Sequence, residues 1–71
     1  MEDELPPMKR EYRIQSLSNG TATVQESGEE TVQSFNDVLS AVAFVRRQKG
    51  DEDVFVAFYN AKGHKTHAQL I

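Results

Sequence analysis

Apolar and polar residues alternate from Tyr12 to Ser16, with Tyr12 and Ile14 on one side and Arg13 and Gln15 on the other. That period of two is the mark of a half-buried strand. A second alternation, Thr21 to Glu26, puts Ala22 and Val24 on one side. Asn19-Gly20 lies between the two, a hairpin signal. A two-residue turn would set Ile14 opposite Gln25. A three-residue loop, Ser18-Asn19-Gly20, sets Ile14 opposite Val24 and keeps both apolar side chains on one face, so it is the expected register. Gly20 then takes the left-handed position that closes such loops. Centring the next turn on Gly28 sets Val32 opposite Val24 and makes Thr31 to Ser34 a short third strand.

The period then changes to that of a helix. Val38, Ala41, Val42 and Val45 form one stripe at 100° per residue, flanked by Leu39 and Phe44. Together they span roughly 220°, wider than the stripe a surface helix needs. Asn36 is the expected N-cap, and Asp37 suits the positive end of the helix dipole. Arg46, Arg47 and Lys49 suit the negative end, and Gly50 is the terminator. The helix is therefore expected over about Asp37 to Lys49.

Val54 to Tyr59 follows, β-branched, aromatic and apolar on both faces. A loop of Ala61-Lys62-Gly63 leads to a last strand, Lys65 to Leu70, and pairs Phe58 with Thr66, Val56 with Ala68 and Val54 with Leu70. The order is β-β-β-α-β-β. The expected fold is α+β, a mainly antiparallel five-stranded sheet with one helix packed on one face. The order of the strands in the sheet does not follow from local pattern.

Charge separates the N-terminus from this domain. Glu2, Asp3 and Glu4 repel one another, and Pro6-Pro7 suits neither a helix interior nor a central strand, so residues 1–9 read as a flexible acidic tail and 10–71 as one domain. With 71 residues the chain holds one core of marginal stability, for which oligomerisation is a common remedy. The net charge of −3 argues against general nucleic-acid binding. No apolar run follows a basic segment at the N-terminus, and no stretch approaches the ~20 apolar residues of a membrane span, so a cytoplasmic protein is expected.

Candidate chemistry is sparse. The chain has no cysteine, hence no disulfide and no thiolate. His64 and His67 are its only histidines, and residues three apart on a strand point to opposite faces, so they do not make a metal pair. None of the serines sits in a nucleophile elbow. Ser18-Asn19-Gly20 and Glu26-Ser27-Gly28 are hairpin turns and not phosphate loops, because no helix follows either glycine. No catalytic residue, metal, cofactor or small-molecule substrate is expected, and the protein does not read as an enzyme.

The second face of the sheet is more informative. If Val54, Val56 and Phe58 face the helix, then Phe55, Ala57 and Tyr59 face away, with Lys65, His67 and Gln69 beside them in the register chosen above. One helix cannot cover both faces. Exposed aromatics of this kind often mark a contact. The expected function is a small non-catalytic interaction module, homodimeric or bound to a protein partner, with Phe55 and Tyr59 as contact residues and Phe44 or Leu39 as a second site. The alternative is a single-stranded nucleic-acid binder in which Phe55 and Tyr59 stack on bases while Lys65 and His67 hold phosphates. Against it stand Asp51, Glu52 and Asp53, which precede the strand and repel phosphate.

Overall fold

A computed structural model describes residues 10–71; the acidic tail read at 1–9 lies outside the described residues. Five strands and one helix follow in the expected order: β1 (Glu11–Ser16), β2 (Ala22–Glu26), β3 (Val32–Phe35), α1 (Val38–Lys49), β4 (Phe55–Tyr59) and β5 (Lys65–Leu70). The sheet order is β3-β2-β1-β4-β5. The two N-terminal and C-terminal strand groups join through one parallel pair, β1 with β4, and all other neighbours are antiparallel.

The first hairpin has the register that apolar matching requires, Ile14 opposite Val24. Leu17 N–H donates to Thr21 O at 2.8 Å and Gly20 N–H to Leu17 O at 3.0 Å, with Gly20 at φ 91°. Asn19 Oδ1 accepts from the Thr21 amide at 3.1 Å, which stiffens the loop from within.

Two registers differ from the sequence expectation. Val24 lies opposite Gln33, not Val32. The one-residue shift turns Val32 to the outer face, where it is 51% exposed, and brings Phe35 to the inner face opposite Ala22. A large ring over a small residue fills the core better than valine on valine, and Phe35 goes on to meet Phe44 of the helix at 5.1 Å between ring centroids.

In the second hairpin the Ala61-Lys62-Gly63 loop is as expected. Asn60 N–H donates to His64 O at 2.9 Å, and Gly63 has φ 86°. Tyr59 pairs with Lys65, but a bulge follows, and Phe58 pairs with His67 instead of Thr66, Val56 with Gln69, and Phe55 with Leu70. Thr66 is the extra residue, and its hydroxyl donates to Phe58 O at 3.1 Å. That bond satisfies a carbonyl within the bulge.

The helix is capped by Asp37 and not by Asn36: Asp37 Oδ1 accepts from the Ser40 amide at 2.8 Å. This bond holds the Asp37 carboxyl below its usual range. The helix buries Ala41 and Val45 completely, whereas Val38 and Val42 are half-buried. The true inner stripe is therefore centred slightly to one side of the one drawn from the sequence. Ala41 and Val45 join Tyr12, Ile14, Ala22, Val24, Val54 and Val56 in one core.

Arg10 ties the open end of this core together. Its guanidinium donates to the Tyr12 hydroxyl and, at 3.1 Å, to Gln48 O in the last turn of the helix. Nε lies 3.3 Å from Glu26 Oε2, and the outer nitrogen 3.7 Å from Glu52 Oε1. The hydrogen bond to Tyr12, with the two carboxylates, raises the guanidinium pKa above its ordinary value. A cation at the negative end of α1 also offsets its dipole.

Candidate functional site

The parallel register sets Glu11 beside Phe55, Arg13 beside Ala57 and Gln15 beside Tyr59. Side chains alternate along each strand, so these six share the face turned away from the helix. Beyond the Thr66 bulge, Ala68 and Leu70 join them, opposite Ala57 and Phe55. The resulting surface has an apolar centre. Ala57 is buried between its registered neighbours, while Phe55 and Leu70, side by side, are 47% and 48% exposed. At one end the Arg13 guanidinium sits 5.0 Å from the centroid of the Tyr59 ring, a cation–π contact that leaves Tyr59 half-buried.

The expected site residues therefore part company. Phe55, Tyr59 and Lys65 do share the open face. His67 does not. The bulge turns it to the helix side, where its ring stacks on Phe58 at 4.5 Å with an interplanar angle of 11°. Gln69 moves with it, opposite Val56. Phe44 packs against Phe35 at the margin of the core. Leu39, at 80% exposure, stands alone on the outer side of the helix. Phe44 and Leu39 thus lie on α1, apart from the open face that holds Phe55 and Tyr59. Leu70, Ala68 and Arg13 were missed as members of the surface. The register expected without the bulge puts Leu70 and Ala68 on the helix side, whereas Arg13 is an outward residue of β1 whose neighbour in β4 local pattern does not give.

The fully buried core reaches Val54, just before β4, and Val56 within it, and only Ile71, past the end of β5, packs against it from beyond β4. All six residues of β5 are exposed, on both faces of the strand. The β4–β5 hairpin also lies along a charge gradient. Asp51, Glu52 and Asp53 precede β4 at one end, and Lys62, His64 and Lys65 surround the turn at the other.

The described residues form shallow cavities. One of about 280 Å³ lies between α1 and β2–β3, with Tyr12, Val24, Phe44, Glu26 and Glu29 in its wall. Another, about 180 Å³, lies by the β2–β3 turn around Gln25, Ser27 and Gly28. Both fall below the ~300–1,000 Å³ of ordinary ligand pockets. Among the described residues no three His, Asp or Glu side chains are grouped to hold a metal ion. No described helix is long and apolar enough to cross a membrane. Comparisons with family models, with curated proteins and with solved structures each return no match to this chain.

Proposed function

We propose that this protein is a small non-catalytic interaction module that binds a second copy of itself through its β4–β5 half. The observation that carries the reading is the pairing of Phe55 with Leu70 on a face that no element among the described residues covers, beside a strand exposed along its whole length. Burying two such side chains stabilises an association by a few kcal/mol, at roughly 25 cal/mol per Å² of apolar area. For a domain with so small a core, that is a substantial fraction of the total stability.

The alternative, single-stranded nucleic-acid binding, retains Phe55, Tyr59 and Lys65 and adds Arg13. It loses His67 to the other face, and Glu11 stands beside Phe55. The Arg13 guanidinium is already engaged on the Tyr59 ring. The self-association reading is therefore the better supported.

Light scattering coupled to size exclusion, over a concentration series, tests it. The wild type should approach twice the mass of the 8.0 kDa chain as concentration rises, and Phe55→Ser/Leu70→Ser should stay at the monomer mass. A wild type that remains monomeric at millimolar concentration would refute self-association. Retention of that monomer on single-stranded nucleic acid, lost with added salt, would establish the alternative.

A further inference from the structure

We infer that two copies join edge to edge, β5 against β5 in antiparallel fashion about a two-fold axis, to make one continuous ten-stranded sheet. This rests on the self-association reading and specifies its geometry.

The backbone supplies the first argument. Val54 and Ile71 exchange both of their hydrogen bonds, at 3.0 and 2.9 Å. In an antiparallel ladder such pairs alternate with pairs that exchange none. Along the regular register from Val54 to Phe58, the next bonded pairs are Val56 with Gln69 and Phe58 with His67. Ala68 and Leu70 therefore turn their N–H and C=O groups outward, to the free edge of the sheet. A two-fold axis at Gln69 sets Ala68 of each copy against Leu70 of the other, and closes four backbone hydrogen bonds. It uses only the regular stretch beyond the Thr66 bulge. The side chains of Ala68 and Leu70 then adjoin those of the second copy on the open face, so the apolar centre around Phe55 continues across the seam.

Charge supplies the second. β5 runs from the basic turn of Lys62, His64 and Lys65 towards the acidic loop of Asp51, Glu52 and Asp53, since its end is hydrogen-bonded to Val54, next to Asp53. Antiparallel pairing lays the basic turn of each copy beside the acidic loop of the other, twice in one dimer. A parallel arrangement would set like against like. The second edge of the sheet, β3, has four residues and follows Glu29 and Glu30. Pairing β3 of one copy with β5 of the next would propagate an open filament, whereas the two-fold β5 pairing closes. Edge strands left bare are usually blunted by charge along the strand. From Thr66 to Leu70, β5 carries no Lys, Arg, Asp or Glu.

The test uses the full chain. Ala68→Pro removes an outward N–H, leaves the bonds to β4 intact, and sets a ring against the approaching strand, a position where an edge strand tolerates proline. It should abolish the dimer in light scattering while circular dichroism keeps the native spectrum. Independently, Lys62→Glu/Lys65→Glu should weaken dimerisation roughly tenfold at low salt, and adding Asp51→Lys/Asp53→Lys to the same chain should restore it. A dimer that survives Ala68→Pro and ignores charge reversal, yet is lost in Phe55→Ser/Leu70→Ser, would overturn edge pairing and leave self-association standing as face-to-face stacking. A wild type that never dimerises would remove both. If Ala68→Pro fails to fold, the charge exchange decides: no rescue in the quadruple variant overturns the proposal.

Discussion

Replacing Val45 by alanine removes two carbon atoms from the centre of the core. Val45 is 0% exposed, on the face of α1 that meets the sheet. At about 0.8 kcal/mol per buried carbon, the transfer loss is roughly 1.6 kcal/mol. The cavity adds to it. Two methyl groups leave about 50 Å³, which at about 24 cal/mol per Å³ is another 1.2 kcal/mol if the walls do not relax. The expected cost is therefore about 2–3 kcal/mol. In a domain of this size, each kcal/mol moves the melting temperature by about 4–8 °C, so a fall of at least 8 °C should follow. Urea denaturation followed by circular dichroism measures it, with an unchanged slope showing that the loss is in stability and not in two-state behaviour. Val42→Ala and Leu39→Ala set the comparison. Val42 is half-buried and should cost less than Val45, while Leu39 is 80% exposed and should lie within about 0.5 kcal/mol of wild type. A Val42→Ala variant less stable than Val45→Ala would refute the helix rotation described here.

Two further outcomes can be checked separately. Gly63 has φ 86° and open space around an added Cβ, so Gly63→Ala should destabilise by about 1 kcal/mol through backbone conformation alone; equal stability in thermal melts would mean the loop adopts another turn. The Asp37 carboxyl should titrate below the ordinary aspartate range, held ionised by the hydrogen bond from the Ser40 amide. Its folded pKa is depressed, so its contribution is present above the unfolded pKa and is lost as pH falls through the folded one; an NMR titration with its midpoint at or above the ordinary aspartate value would remove the cap from the account.

Local pattern determined the elements themselves. The period-two segments became strands, the stripe from Val38 to Val45 became a helix, and Gly20 and Gly63 closed their loops at positive φ because three-residue hairpin loops need a residue without a Cβ penalty there. The outward position of Phe55 and Tyr59 was equally legible, since it depends on alternation within one strand. What pattern could not determine was anything set by a partner distant in the chain. That Phe35 and not Val32 entered the core goes with two neighbours distant in the chain, Ala22 opposite it and Phe44 against its ring. The bulge at Thr66 costs one ladder position, and a single inserted residue exchanged the faces of His67 and Gln69 for those of Ala68 and Leu70. The share of β5 in the candidate surface therefore turned on the bulge at Thr66. The parallel union of β1 with β4, which sets β5 at an edge beyond the reach of the helix, is a property of the assembled sheet, because each strand alone offers the same hydrogen-bonding groups to any neighbour.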